Sequence, residues 1–137
     1  MRIFFDTNVL LDVLIKREDE QLSESAVKAI SAAKQLGAES FIATITIPTV
    51  AYVLKNKTGA EKKKTINAFL KSFSVIDSTA KHVQFALKSS FDDIEDAMQY
   101  ACAEEHNCDL ILTRDIKDFK NSRIPCMTPM EFLKEIS

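Results

Sequence analysis

A chain of 137 residues has the length of one ordinary domain and can bury a real core. With 46% apolar and 28% charged residues it reads as a soluble globular protein, and no run approaches the roughly 20 apolar residues of a membrane span. A net charge of −2 supplies no global attraction to nucleic acid, although a local basic face would still attract it.

The chain opens MRIFFDTNVLLD. Ile3, Phe4 and Phe5 form a short apolar run, predicting a strand over 2–6. Val9, Leu10, Val13 and Leu14 then take helical spacing, predicting a helix over 8–16. No signal peptide is expected, because 2–11 hold Asp6 and no long apolar region. A polar stretch, 17–21, precedes a helix over 23–36 with Ala26, Val27, Ile30, Ala33 and Leu36 on one face. Gly37 stops it. A short strand over 40–44 leads to Pro48, a first-turn residue, and a helix to about position 55.

Thr58 and Gly59 break that helix, and the next covers 60–73 with Ile66, Phe69, Leu70 and Phe73 inward. A strand over 73–76 follows. Ser78 or Thr79 caps a helix to Lys88 with Val83, Ala86 and Leu87 inward. Asp92 or Asp93 starts another, to about Asn107. The run 109–113 is the clearest internal strand, and 124–127 is a last short one. Thr128-Pro129-Met130-Glu131 is a capping box with proline at the first helical position, predicting a terminal helix.

Strands alternating with helices predict an α/β fold: three layers, α/β/α, around a mostly parallel sheet of four to five strands. Only two glycines and three prolines argue against an all-β chain. No linker, repeat or low-complexity segment appears, so residues 1–137 are expected to form a single domain. Cys102, Cys108 and Cys126 are an odd set without CxxC spacing. They read as free thiols in a reducing compartment, which predicts a cytoplasmic protein.

In parallel α/β sheets ligands bind at the carboxyl ends of the strands. Asp6 ends the first strand and Asp115 follows the strand ending at Thr113. A third acid joins from FDDIEDAMQYACAEE. Ile94, Ala97, Met98, Ala101 and Cys102 make an apolar stripe, with Asp93, Asp96 and Tyr100 on the adjacent face and Asp92 and Glu95 expected to point elsewhere. Acids in a first turn commonly do no more than oppose the helix dipole, contributing roughly 0.3–1 kcal/mol each. Asp96 differs, because it borders the buried stripe and a carboxylate there needs a partner. No lysine or arginine lies between Lys88 and Arg114, which leaves a cation from solution.

Carboxylates at one edge suit a hard divalent ion, Mg2+ or Mn2+, and such an ion assists phosphodiester hydrolysis. No phosphate-binding glycine loop suggests a kinase or ATPase, and no Gly-x-Ser-x-Gly suggests covalent catalysis. His82 and His106 read as ordinary surface or core residues rather than ligands.

FFDTNVLLD at the start, DIEDAMQYACAEEHNCDLILTRDIKDF near the end, and the capped terminal helix resemble the PIN domain, the PilT N-terminus-type nuclease fold. The resemblance covers essentially the whole chain and implies a metal-dependent ribonuclease. By position it implies Asp6, Asp96 and Asp115 as catalytic metal ligands, with Asp93 and Asp118 beside them and Asn8 and Thr113 as polar supports. The family usually supplies a further glutamate after the second strand. Here Thr49 falls at that position and no acid occurs between Glu39 and Glu61, so either metal affinity is lower or Asp93 supplies the missing charge. Likeness to the toxins of virulence-associated toxin–antitoxin pairs implies RNA as substrate, a protein antitoxin that blocks the cleft, a homodimer and no membrane attachment. Val50, Val53 and Leu54 read as core before dimer surface.

KNKTGAEKKK carries Lys55, Lys57, Lys62, Lys63 and Lys64 against one acid, Glu61. It reads either as a solvated corner between helices or as an RNA contact gripping phosphates. Arg114 reads as a phosphate contact or as the partner of an acid. The missing second acid motivates a rival function, a non-catalytic PIN-like module that binds RNA or protein. A magnesium phosphatase fits less well, because Asn8 stands where such enzymes often carry a second aspartate.

Overall fold

The computed structural model of the chain describes residues 1–15 and 17–137. Ile3, Phe4 and Phe5 have no exposed surface, because the strand they form, β1 (Arg2–Phe5), is the centre of the sheet. With β2 (Glu39–Ala43), β3 (Ser74–Ile76), β4 (Leu110–Leu112) and β5 (Cys126–Met127) it builds a sheet ordered β3-β2-β1-β4-β5. Every pairing is parallel. Phe4 pairs with Phe41 on one side and with Ile111 on the other.

Parallel strands need both faces covered. On one face Ile3, Phe5, Ile42 and Leu112 pack with Val9 and Leu10 of α1 (Thr7–Leu14) and Phe132 of α7 (Pro129–Ile136). Ala26, Ala29 and Ala33 of α2 (Glu20–Gln35) join them, and such small residues let a helix sit close to the strands. On the other face Phe4, Phe41 and Ile111 pack with Tyr100, Cys102 and Ala103 of α6 (Ile94–Glu105). The remaining helices are α3 (Thr46–Val53), α4 (Gly59–Leu70) and α5 (Ala80–Lys88). The three-layer α/β arrangement expected from the sequence is therefore observed. Val50 and Leu54 belong to the core.

The differences are local. Helix α1 ends at Leu14, and position 16, expected at its end, lies outside the described residues. Helix α2 begins within the stretch read as polar, because the Asp19 side chain accepts the Gln21 N–H at 3.0 Å and starts it early. On α5 the inward stripe is turned back by one residue. His82 and Ala86 are buried, whereas Leu87 is 70% exposed and Val83 also faces out. The cause is the cap: His82 Nδ1 accepts the Thr79 N–H at 3.0 Å, which draws the ring inward. Val27, Leu36 and Ile94, expected on buried faces, are exposed as well. A short 3₁₀ turn, Ile116–Phe119, has too few residues to show a period, and Phe119 anchors it in the core. All three cysteines are free, and burial pushes the Cys102 and Cys108 thiols up to about 11. Among the described residues no helix is long and apolar enough to cross a membrane.

Candidate active site

The site begins where β1 stops. Asp6 continues the ladder through its N–H, which donates to the Leu112 carbonyl at 2.9 Å, and its extended backbone then hands the chain to α1. Its side chain is 2% exposed and does not cap the helix. Instead Oδ2 accepts the Thr113 hydroxyl and Oδ1 accepts the Gln99 Nε2–H, both at 2.8 Å. Thr113 stands at the end of the neighbouring strand, and Gln99 is a fully buried residue of α6.

Each of these donors is itself held. Gln99 Oε1 accepts from the Thr7 N–H at 3.0 Å and the Thr7 hydroxyl at 3.1 Å. With the Thr7 proton so used, Thr46 Oγ1, 2.7 Å away, is the donor to Thr7. Thr113 Oγ1 accepts the Asp115 N–H at 3.2 Å and lies 3.4 Å from Asn8 Nδ2, while Asn8 Oδ1 accepts the Arg114 N–H at 3.1 Å. Thr113 thus touches Asp6 directly, whereas Asn8 reaches it only through Thr113.

Every donor to Asp6 is neutral. Among the described residues no lysine, arginine or histidine pairs with it. Burial pushes its carboxyl up to about 6, against the lowering effect of the Thr113 and Gln99 hydrogen bonds, and the charge of Glu95 adds to the rise.

The start of α6 brings the second acid. Asp93 is the N-cap, its Oδ1 accepting the Asp96 N–H at 2.9 Å. Asp96 is pushed up to about 8, first by loss of water and then by the charges of Asp6, Asp93, Asp118 and Glu95. Asp6 and Asp96 therefore share one electrostatic site although 90 positions separate them (96 − 6). Asp96 also lines a cavity of about 220 Å³ with Asp92, Asp93, Asp118, Lys117 and Lys120.

Glu95 corrects the expectation that it points elsewhere. Its Oε1 accepts the Thr49 hydroxyl at 3.0 Å, which turns it toward the acids. Asp115 stands at the end of β4 beside Thr113 but is not among the charges that chiefly raise Asp96. Arg114 has an acid partner: Nη1 lies 3.2 Å from Oδ1 of buried Asp12, which Arg17 also reaches at 3.0 Å. Lys55, Lys57, Lys62, Lys63 and Lys64 sit at the corner between α3 and α4, past the far end of the helix that carries Thr49. Lys55 Nζ lies 5.0 Å from the centre of the Tyr52 ring, a cation–π contact.

Residue-type reasoning overlooked Gln99 and Asp12. Gln99 follows Asp96 by three positions, the spacing of one helical face, and that was its only sequence signal.

The available donors are carboxylate, hydroxyl and amide oxygens, a hard set that suits Mg2+ or Mn2+ better than zinc. Among the described residues no three Asp, Glu, His or Cys side chains converge to enclose an ion by themselves. That geometry suits an ion that keeps several waters and is held directly by one or two carboxylates.

These features are those of a parallel α/β protein with an acid-rimmed site at its strand ends. Residues 2–117 match the family described as PIN domain, and the chain belongs to that family. Ribonuclease VapC1 of Aquifex aeolicus (strain VF5) is 29% identical over 141 residues, covering 96% of this chain and 92% of that one. Among solved structures, a toxin–antitoxin complex from Klebsiella pneumoniae is similar at 25% identity and a TM-score of 0.68, covering 93% of this chain and 97% of that one. VapBC2 from Rickettsia felis, bound to a DNA fragment from its promoter, is similar at 17% identity and a TM-score of 0.69, covering 93% and 98%. The latter likeness is one of fold.

Proposed function

We propose that this chain is an endoribonuclease that hydrolyses RNA phosphodiester bonds with Mg2+ or Mn2+, acting as the toxin of a toxin–antitoxin pair. The observation that carries the reading is Asp6: a buried carboxylate with only neutral donors, coupled to Asp96 across the strand edge. A buried carboxylate without a counter-charge is costly, and a dication would offset that cost. The ribonuclease relative supports RNA as substrate, and the toxin–antitoxin neighbours support a protein antitoxin as partner. We further propose one domain over 1–137, a homodimer and a cytoplasmic location.

Asp6 and Asp96 would hold the ion, with Asp115 and Asp118 on the same rim. A bound divalent ion supplies Lewis acidity to the phosphodiester. Asp6 is prepared for this by Thr113 and Gln99, which each occupy one oxygen from one side and fix the carboxylate plane. Loss of water and the charges of Asp6, Asp93, Asp118 and Glu95 favour the protonated carboxyl of Asp96, and a bound dication would favour the ionised form. The lysines at 55–64 would grip backbone phosphates and place the strand without reading its bases.

The test is cleavage of mixed RNAs by the purified chain with Mg2+ or Mn2+, set against Asp6→Asn. Cleavage by the wild type and none by the variant is expected. Equal cleavage by both would assign the activity to a contaminant. No cleavage, with no Mn2+-dependent rise in melting temperature, would favour the binding-module reading, for which Thr49 in place of an acid is the motive.

A further inference from the structure

The loop 90–93, between α5 and α6, and the segment 117–123, past β4, together wall two adjoining cavities. The first, of about 220 Å³, is the one that Asp96 lines. The second, of about 430 Å³, shares Ser90, Phe91 and Asn121 with it. Asn121 Nδ2 donates to the Ser90 carbonyl at 3.4 Å, which ties the loop to the segment.

Phe91 is half-buried and braced on two sides. Its ring centre lies 5.2 Å from that of Tyr100 and 5.9 Å from that of Phe119, the latter edge-on. Its N–H donates to Ser89 Oγ at 3.3 Å. A ring already held this way loses little freedom when a flat ligand packs on its remaining surface. Cations stand around it. Lys117 and Lys120 line the first cavity, and Lys88 and Arg123 line the second. Among the described residues none of the four has an ion-pair partner. Glu104, an acid of the second cavity, accepts the Tyr100 hydroxyl at 2.7 Å and so is already engaged.

A purely apolar ligand has no use for the cations, and a bare anion has none for the ring. The combination suits single-stranded nucleic acid, whose bases stack on aromatic faces while its phosphates meet positive charge. A duplex keeps its bases stacked on one another, out of reach of Phe91.

We propose that the second cavity seats the nucleotide next to the one cleaved, its base packed on Phe91 and its phosphates drawn to Lys88 and Arg123. This rests on the ribonuclease reading above, which supplies RNA as the ligand. Because the two cavities share a wall, a strand cut at the first carries its neighbouring nucleotide into the second.

The experiment is fluorescence anisotropy with the full chain and a short labelled single-stranded RNA of mixed sequence, in chelator so that nothing is cut. A strand of the same length built from abasic spacers is the control. The wild type is expected to bind the RNA more tightly than the abasic strand. Phe91→Leu keeps an apolar side chain and removes the ring. It is expected to bind the RNA about tenfold more weakly, to bind the abasic strand like wild type, and to keep the wild-type salt dependence. Phe91→Tyr retains a ring and should retain the preference for bases. If Phe91 only packs against Tyr100 and Phe119, Phe91→Leu lowers the melting temperature and leaves that preference intact, which overturns the proposal. Equal affinity of the wild type for the single strand and for its duplex overturns it too.

Lys88→Ala combined with Arg123→Ala changes only exposed side chains, so it tests the seat even if Phe91→Leu fails to fold. The pair should flatten the dependence of log affinity on log salt by about 1.4, at about 0.7 for each phosphate neutralised on a single strand. An unchanged slope overturns the assignment. Cleavage in Mg2+ is scored separately. A wild type that cuts RNA, with Phe91→Leu binding it as tightly as wild type, removes the seat and leaves the ribonuclease standing. A wild type that neither cuts nor binds RNA removes both.

Discussion

The Thr113 hydroxyl donates to Asp6 Oδ2 at 2.8 Å, tying the end of β4 to the end of β1 through one buried proton. Thr113 Oγ1 itself accepts the Asp115 N–H, so one hydroxyl sets two acidic residues. Thr113→Val keeps the shape and removes the donor. A buried carboxylate that loses a hydrogen bond costs about 1–3 kcal/mol, more for a charged group. Denaturant unfolding at neutral pH should show that loss, and RNA cleavage should fall with it. Thr113→Ser retains the hydroxyl and should stay near wild type in both measurements.

Gln99 is the second support, and its removal should cost more. It joins Asp6 Oδ1 to the Thr7 N–H and hydroxyl, and its own side chain is fully buried. Gln99→Leu strands an acceptor on Asp6 and a backbone donor on Thr7, while the Thr7 hydroxyl can turn to Thr46 Oγ1. Two unsatisfied buried groups together cost about 2–6 kcal/mol. The expected result is a chain that melts well below wild type at neutral pH. Recovery of part of that loss at acid pH, where Asp6 is neutral, would identify the stranded carboxylate as the cause.

What the sequence made legible was the frame and the acids that end it. Ile3-Phe4-Phe5 is a short apolar run that stops on a charge, and Leu110-Ile111-Leu112 is another that stops on Thr113. Both strands and the edge they share follow from that punctuation. Asp96 was legible because it borders an apolar stripe. Gln99 was not, because hydropathy cannot tell an exposed amide from one bonded to a buried carboxylate. Glu95 was misread for a similar reason: the hydroxyl that turns it inward lies 46 positions away, on another helix. The inward face of α5 was misjudged because the helix cap engages Nδ1 of His82 and draws the ring inward, leaving Nε2 buried without a hydrogen bond, 3.4 Å from Glu105 Oε2.

The lysine corner carries its own prediction. Lys62, Lys63 and Lys64 lie in α4, where among the described residues none has an ion-pair partner. If they grip RNA, replacing all three by alanine should weaken binding at low salt. It should also flatten the dependence of log affinity on log salt by about 2, since each phosphate neutralised on a single strand adds about 0.7 to the slope. Cleavage at saturating RNA should change little, because these residues do not line the cavity that holds Asp96. A salt slope equal to that of the wild type would make the corner an ordinary solvated turn.

The pH dependence of the metal-free chain follows from Asp6 and Asp96. Both carboxyls are raised above the ordinary value of 3.8, to about 6 and about 8. Between the unfolded and folded values the native state binds more protons than the unfolded chain, so stability must fall as pH rises. The fall should begin near pH 4, be complete for Asp6 just above pH 6, and continue toward pH 8 through Asp96. For buried Asp6 the loss is about 3 kcal/mol at most, at about 1.36 kcal/mol per pH unit. Asp96 is partly exposed, and water screens its share. Chelated protein should therefore melt at a lower temperature at pH 8 than at pH 5. Mn2+ should reverse the trend, because it binds the ionised carboxylates and so binds more tightly as pH rises. A melting temperature that rises from pH 5 to pH 8 without metal would mean that a cation of the chain itself already neutralises Asp6.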